Sequence, residues 1–523
     1  MTGESGSNDD AAADRRELLE LRERLARGSD ARRGDAVARR HGRGYRSARE
    51  NLADLVDADS FVEYGALAVA AQRGRRSATE LERDTPGDGV ITGVARINSP
   101  HVGAERSFAA VVINDYSVLA GTQGFFHHAK IDRILAIARR QRLPVIMYTE
   151  GGGGRPGDTD VTTQIAGLNV STFASWSALN TGQPRIAVNN GYCFAGNAAL
   201  FGAADLRIAT RASSIGMAGP AMIEGGGLGQ FRPEEIGPAA LQERNGLLDL
   251  LVADEAAATA AARRLLWYFQ GDLGAAPVQD QTSLRQVLPA DRRWSYDVRA
   301  ILETLFDRDS VTELRRIYGR SVITAFARLD GRSVGVLASD CRQLGGAVDA
   351  DAADKAARFL SLCDRCTIPV VSLVDTPGFM VGPASEAESA VQRMSALFER
   401  AATLRVPIFA VFLRKAYGLG AMALVGGSFA VPELALSWPT GEFGGMGLEG
   451  AVRLGFRKEL DAVPAGEERE ALFNCYLGEM YDRGKAVEAA AHLEIDAVVD
   501  PADTRQQLML ALGAARREGG WVR

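Results

Sequence analysis

The sequence reads "LPVIMYTEGGGG" at residues 143–154 and "IPVVSLVDTPGF" at residues 368–379. Each stretch has a proline, a run of mostly apolar residues, an acidic residue and a turn that contains glycine. A short apolar run bounded in this way predicts a buried strand that ends in a tight turn. Because the same pattern recurs 225 residues later, the chain is expected to contain two copies of one fold.

Three further pairs of segments extend the duplication along the chain. The spacing between the partners falls slowly, from 250 to 223 residues, as small insertions would cause. The pairs are residues 57–67 with 307–317, residues 90–98 with 322–330, and the segment from Pro184 with the segment from Pro407.

Each copy has short β-branched strands, a turn with glycine after each strand, and then a helix, which predicts an α/β fold. A turn-rich stretch at 271–294 separates the copies. We therefore expect an N-terminal domain at 15–285 and a C-terminal domain at 286–523. Residues 1–14 are predicted to be disordered, and an amphipathic helix follows them.

The composition favours a cytoplasmic protein that acts on small molecules. A formal charge of -6 gives no basic face for nucleic acid. No apolar run is long enough to span a membrane, and the polar N-terminus is not a signal peptide. Five cysteines and five histidines show no disulfide framework and no complete set of metal ligands, so no metal is expected.

Four consecutive glycines follow the first strand, and three kinds of site use such a turn. Gly152, Gly154 and Gly157 match the dinucleotide fingerprint, but no acidic residue lies about 20 positions further on. A nucleotide P-loop is excluded because Arg155 and Pro156 occupy the places of its lysine and hydroxyl residue. The third alternative is an oxyanion hole, in which backbone N–H groups face an oxygen that becomes negative during a reaction.

Both copies carry a second cluster of small residues, and this favours two oxyanion sites. A reaction that forms two enolate-like anions would use both of them. The clusters are Gly191, Ala195 and Gly196 in the first copy, and Gly418, Gly420 and Ala421 in the second.

Several ordered motifs resemble the carboxyltransferase (β) subunit of biotin-dependent acyl-CoA carboxylases, of the propionyl-CoA and methylcrotonyl-CoA type. The resemblance runs from about residue 15 to the C-terminus. Its motifs are residues 44–65, "GGGGRPGD" at 151–158, residues 355–382, "RKAYGLGAMALVGG" at 414–427 and "WPTGEFGGMGLEGAV" at 438–452.

The resemblance implies two tandem crotonase-like domains of ββα units and a homo-hexamer, a trimer of dimers. Each active site would lie between the N-terminal domain of one subunit, which holds acyl-CoA, and the C-terminal domain of its neighbour, which holds biotin. Carboxybiotin would supply both CO2 and the base, and the thioester enolate would attack CO2 at the α or vinylogous carbon. The protein would supply positioning and electrostatic stabilisation.

Carried over residue by residue, the resemblance implies that Gly152 and Gly153 form one oxyanion pair, with Gly154 as a neighbour that shifts the register by one. Gly420 and Ala421 form the other pair. The first pair is assigned to the thioester and the second to biotin, and the reverse assignment stays open. Further acyl-CoA contacts are expected from Lys130, Arg155, Phe194, Ala195, Gly196, Asn197, Gly219 and Ala423, and biotin contacts from Tyr417, Gly418 and Leu419.

Five of these residues carry specific expectations. Phe194 and Asn197 depart from the family pattern and are expected to reshape the acyl end of the pocket, and Ala423 is expected in the wall that selects the acyl group. Lys130 is a candidate for a CoA phosphate. For Arg155 two alternatives stay open: it holds a phosphate, or it anchors the glycine turn to a carboxylate.

The chain has no biotinylation tripeptide and no ATP-binding glycine loop, so it is expected to need a biotin carboxylase and a biotin carboxyl carrier as partners. A biotin-dependent decarboxylase or transcarboxylase subunit would use the same geometry and stays open as an alternative. A non-catalytic scaffold of the same fold is the other alternative.

Overall fold

The computed structural model describes residues 15–161, 167–517 and 520–521. The predicted disordered segment, residues 1–14, lies outside the described residues. The predicted amphipathic helix is present, and its leucines are partly exposed. Among the described helices, none combines the length and the apolar composition needed to cross a bilayer.

The first half of the chain forms twelve described α-helices and nine described strands. They are α1 (Arg16–Ala26), α2 (Gly34–His41), α3 (Ala48–Leu55), β1 (Val62–Tyr64), α4 (Ala78–Asp84), β2 (Val90–Arg96), α5 (Ser99–Val102), β3 (Phe108–Asn114), α6 (Phe125–Gln141), β4 (Val145–Tyr148), α7 (Thr172–Ser177), β5 (Arg185–Asn189), β6 (Tyr192–Phe194), α8 (Gly196–Gly202), β7 (Leu206–Thr210), β8 (Ser214–Gly216), α9 (Pro220–Gly225), α10 (Pro233–Ile236), α11 (Ala239–Arg244), β9 (Leu250–Val252) and α12 (Glu255–Trp267).

The second half contains the remaining described helices and strands. They are α13 (Val298–Leu305), β10 (Thr312–Leu314), β11 (Val322–Leu329), β12 (Arg332–Ser339), α14 (Ala350–Arg365), β13 (Val370–Thr376), α15 (Pro383–Ala387), α16 (Ala390–Ala402), β14 (Ile408–Tyr417), α17 (Gly418–Leu424), β15 (Leu434–Ser437), β16 (Glu442–Gly444), α18 (Leu448–Gly455), α19 (Arg457–Asp461), α20 (Glu467–Arg483), α21 (Ala486–Ala491), β17 (Ala497–Val498), α22 (Thr504–Ala514), β18 (Arg516–Arg517) and β19 (Gly520–Trp521).

The two halves have the same sheet topology. The first sheet has the order β1-β2-β3-β4-β5-β7-β9, and the second has the order β10-β11-β12-β13-β14-β15-β17. In each sheet the first three strands are antiparallel and the later ones pair in parallel. The predicted duplication and the predicted α/β class are therefore confirmed.

The helix α14 illustrates why these segments take the form they do. Asp349 caps the helix, and its carboxylate accepts a hydrogen bond from the Ala352 N–H at 2.8 Å. Apolar residues recur at helical spacing, and Ala353, Ala356 and Leu360 are fully buried. The helix ends at Arg365, and β13 begins five residues later, after a proline.

The halves share part of their core. One cluster of buried apolar side chains includes Ile208 from the first sheet and Phe326 from the second. A buried ion pair also joins them, between Arg315 and Asp249 at 2.9 Å. The turns after the parallel strands are thus fixed on a common scaffold.

Candidate functional site

In each half, two neighbouring parallel strands end in turns that lie side by side. In the first half, Gly151 N–H donates to the Tyr192 carbonyl at 2.7 Å, and Phe194 N–H donates to the Gly151 carbonyl at 3.0 Å. In the second half, Thr376 pairs with Ala416 at the corresponding place. The carboxyl ends of parallel strands are where open α/β sheets bind ligands, so these turns form the candidate site.

Two positions in each pair of turns have a left-handed backbone. Gly153 has φ of 92° and matches Gly378 with φ of 114°. Ala195 has φ of 51° and matches Gly418 with φ of 58°. A positive φ is uncommon for a residue with a Cβ atom, so the backbone at Ala195 is strained. The duplicated turns keep this shape in spite of the cost.

A buried carboxylate lies at the carboxyl end of the central strand of each half, and each one is paired with arginine. Arg40 binds Glu150 through two nitrogens at 2.9 and 2.8 Å. Arg414 lies 3.0 Å from Asp375, whose side chain is fully buried. Burial raises the pKa of Glu150, and Arg40 opposes that rise. These pairs fix the turns and leave neither carboxylate unpaired.

The N–H groups of Gly152 and Gly153, which are predicted to form an oxyanion pair, both have acceptors within the protein. The Gly152 N–H donates to the Ala120 carbonyl at 3.1 Å, and the Gly153 N–H donates to Asn197 Oδ1 at 3.0 Å. An N–H that is bonded within the protein is not available to a substrate oxygen. Within residues 15–161 and 167–517, no acceptor faces the N–H of the exposed Gly154, the neighbour that shifts the register by one.

Asn197 is a brace for the glycine turn. Its side chain is fully buried, and its Nδ2 donates to the Thr149 carbonyl at 3.2 Å. The expectation that Asn197 reshapes the acyl end of the pocket stays a prediction. In the second half Gly420 takes the matching position. A Cβ atom on Gly420 would lie 2.5 Å from the carbonyl carbon of Gly378, so the backbone at Gly420 packs directly against the backbone at Gly378.

The start of α8 presents polar groups that the chain does not use. Within the described residues, the N–H of the half-buried Gly196 donates to no acceptor. The side chain of Gln123 lies against Gly196, because a Cβ atom added there would be 2.2 Å from Gln123 Oε1. Gln123 is 3% exposed, and its Nε2 has no partner in the described part of the chain.

Sequence reasoning missed Gln123, although the duplication contains the signal. Gln123 forms an isolated parallel β-bridge with Gly154 in the first glycine turn, and Val348 forms the same kind of bridge with Phe379 in the second turn. A polar residue thus replaces an apolar one at a matched, buried position.

The second half offers a similar turn at the start of α17. Within the described residues, Gly420 N–H has no acceptor. Gly418 is half-buried, and Leu419 is 61% exposed. Tyr417 is buried, and its hydroxyl donates to Glu442 at 2.9 Å; burial and this carboxylate raise the pKa of the phenol. The roles of Gly420, Ala421, Gly418, Leu419 and Tyr417 toward biotin stay predictions.

Two predicted phosphate ligands have structural partners instead. Arg155 Nη1 lies 2.5 Å from Asp88, and its Nη2 donates to the Thr122 carbonyl at 2.9 Å. The anchor alternative is therefore the one that the structure has. Lys130 is 8% exposed and its Nζ donates to the Gly87 carbonyl at 2.7 Å. Its role toward a CoA phosphate stays a prediction. Burial lowers the pKa of Lys130 to about 8.

The residues expected to contact the acyl group lie in different surroundings. Phe194 stacks on Tyr192, with ring centroids 6.0 Å apart, and its ring faces Gly219 at the start of α9. The contact of Phe194 and Gly219 with the substrate stays a prediction. Ala423 is fully buried in the core, and its place in the wall that selects the acyl group stays a prediction.

Comparison with known proteins identifies the family. The carboxyl transferase domain profile matches residues 39–519. The chain belongs to the carboxyl transferase family. This membership confirms the resemblance seen in the motifs and the prediction that the protein is a carboxyltransferase.

Three known proteins illustrate the similarity. The chain is 50% identical to a single-chain, multi-domain long-chain acyl-CoA carboxylase of known structure, with a TM-score of 0.89; the match covers 95% of this chain and 49% of that one. This chain therefore spans about half the length of that enzyme. The crystal structure of the transcarboxylase 12S hexamer is 28% identical with a TM-score of 0.82, over 99% of this chain and 100% of that one. A biotin-dependent long-chain acyl-CoA carboxylase β4 subunit of Mycobacterium tuberculosis is 30% identical, over 97% of this chain and 95% of its own. The crotonase-like fold predicted from the motifs is confirmed.

Proposed function

We propose that this family member transfers CO2 from carboxybiotin to an acyl-CoA through a thioester enolate. The observation that carries the proposal is the pair of duplicated turns. Each presents unused backbone N–H groups, while the buried ionised groups beside them are already paired, as Arg40 is with Glu150 and Arg414 with Asp375. Such a site stabilises a developing negative charge and brings no free general base of its own.

We assign to the substrate oxygens those N–H donors that have no acceptor within the described part of the protein. The Gly196 N–H and the Gln123 Nε2 are unused, and the Gln123 Oε1 lies against Gly196, so we assign the Gly196 N–H and the Gln123 amide, with its two terminal atoms exchanged, to the thioester oxygen. The turn from Tyr417 to Ala421 is assigned to biotin. Removal of one such donor should raise the barrier by about 3 kcal/mol.

Biotin is supplied by a partner and fits the second turn. Leu419 is exposed and Gly418 carries no side chain, so a carrier-borne ring can approach the backbone there. When bound, carboxybiotin supplies the CO2 and the base. The protein orients both reactants and stabilises the charge, and we propose that residues 15–285 hold acyl-CoA while residues 286–523 hold biotin.

We also propose that the chain works as a hexamer in which an active site lies between two subunits. Apolar side chains are exposed near both turns, a pattern that marks interaction surfaces. They are Met217, Met222, Leu228 and Phe231 in the first half, and Leu419, Met446 and Leu454 in the second. The hexameric transcarboxylase 12S core is similar over its whole length.

That same similarity favours one alternative, a transcarboxylase or decarboxylase subunit. Such an enzyme would use the same turns with the reaction run from a carboxylated thioester. A non-catalytic scaffold would bind no acyl-CoA.

The test is a panel of acyl-CoAs with purified protein, a biotin carboxylase, biotinylated carrier, ATP and labelled bicarbonate. The expected result is an acid-stable labelled thioester from at least one acyl-CoA, and a large loss of kcat in Gln123→Met. The matched control is Gln183→Met, on a loop away from both turns, which should keep full activity. The absence of any labelled product with partners that support acyl-CoA carboxylation by a known transferase would overturn the proposal.

A further inference from the structure

A cavity of about 920 Å3 lies in the C-terminal half, between α17, α18, α20 and α21. Its volume is in the upper part of the range for small-molecule pockets. Most of its lining is apolar and includes Met422, Phe429, Phe443, Met446, Leu448 and Phe456.

The cavity begins at the turn that the proposed function uses. Gly418 borders it, together with Gly444 and Gly445. A Cβ atom on Gly418 would lie 2.9 Å from the Gly445 carbonyl oxygen, so the backbones approach closely at this place. The space is therefore continuous with the turn that is assigned to biotin.

The lining chemistry suits a chain of methylene groups. The charged members of the lining come from the last turn of α20 and from the neighbourhood of α21, as Glu479, Arg483 and Glu488 do. Near the turn the lining is methionine and phenylalanine, and methionine adapts to flexible apolar ligands.

We propose that this cavity holds the acyl chain of a long-chain acyl-CoA whose CoA part is bound by residues 15–285 of a neighbouring subunit, and this inference rests on the proposed carboxyl transfer. A methylene group has about the size of a water molecule, which occupies roughly 30 Å3. A chain of about 16 carbons then needs roughly 480 Å3, and the cavity accommodates it. A short acyl group would leave most of the space unfilled and gain little from burial.

The experiment uses Ala451→Phe, because Ala451 lines the cavity on α18 and is half-buried. A phenyl group at that position enters the cavity without replacing a core residue. The control is Ala36→Phe, a half-buried alanine on α2 that does not line the cavity. Wild type and both variants are assayed with saturated acyl-CoAs of 4 to 18 carbons, and the binding of butyryl-CoA and palmitoyl-CoA is measured by calorimetry.

In the wild type, affinity and kcat/KM should rise with chain length, by up to about fourfold for each methylene group. Ala451→Phe should lose at least tenfold in kcat/KM and affinity for palmitoyl-CoA while butyryl-CoA is unaffected, and Ala36→Phe should match the wild type. An equal loss at every chain length, or a wild-type preference for short chains, would overturn the proposal while carboxyl transfer stands. If no acyl-CoA is carboxylated, the proposed function fails, and calorimetry that shows no chain-length preference removes the cavity proposal as well.

Discussion

Replacement of Asn197 by alanine should release the glycine turn after β4 from its brace. The Asn197 side chain accepts from Gly153 N–H at 3.0 Å, and donates to the carbonyls of Thr149 at 3.2 Å and Gly121 at 3.4 Å. Its removal leaves buried backbone groups without partners, at about 1–3 kcal/mol for each. Because water can enter part of the space, we expect a local loss of about 3 kcal/mol.

Amide hydrogen exchange measures this loss at the turn itself. A loss of 3 kcal/mol corresponds to about 150-fold faster exchange of the Gly153 N–H, read by mass spectrometry in a peptide that contains it. The turn would also shift, and kcat should fall by up to about 100-fold. The control is Asn180→Ala, because Asn180 is exposed on a separate turn. Unchanged exchange at Gly153 in Asn197→Ala would show that Asn197 does not hold the glycine turn in place.

Three further predictions concern the same turns. Gly420→Ala would place a Cβ atom 2.5 Å from backbone and should lower kcat at least 100-fold, whereas Gly455→Ala, where a Cβ atom meets nothing within 4 Å, should leave kcat unchanged; steady-state kinetics of the two variants decides this. Arg155→Ala leaves the buried carboxylate of Asp88 unpaired and should destabilise the protein by about 3–5 kcal/mol, read as a fall in the thermal midpoint; an unchanged midpoint contradicts the anchor role. Burial lowers the pKa of Lys130 to about 8 from 10.5, so its contribution to stability is fully present above about pH 10.5 and is lost as pH falls through about 8. In thermal melts between pH 7.5 and 10.5, the wild type should gain up to about 3 kcal/mol of stability as pH rises, and so should the exposed-residue control Lys485→Met. Lys130→Met should lack this gain. Equal pH dependence in all three proteins would contradict the prediction.

The duplicated fold was predictable because its signals are local. Proline, a β-branched run and a glycine turn lie within a dozen residues, as in residues 143–154, and each such unit becomes a strand and turn of the same sheet position. The order of the units in the chain then gives the order of the strands. A boundary near residue 285 stays a prediction.

The use of individual N–H groups was not predictable, because it depends on distant acceptors. The N–H groups of Gly152 and Gly153 donate hydrogen bonds to Ala120 and Asn197, which lie 32 and 44 residues away in the chain. Arg155 is likewise held by Asp88, 67 residues upstream. A glycine run indicates where the backbone turns, and only the packed structure shows which donors remain free.

The large cavity in the second half also lies beyond sequence patterns. Its lining comes from residues 418–494 on several helices, and no spacing in the sequence brings Met422 together with Phe456. In the sequence alone, apolar residues that line a cavity cannot be told from apolar residues of the hydrophobic core.

The most direct test is an experimental structure with acyl-CoA and a biotin-loaded carrier bound. We expect the thioester oxygen at about 2.7–3.1 Å from the Gly196 N–H, with the biotin carbonyl at the turn of Gly420 from a neighbouring subunit. A thioester oxygen that lies away from Gly196 and Gln123, or turns at Gly196 and Gly420 that face no common cavity in any assembly, would contradict it.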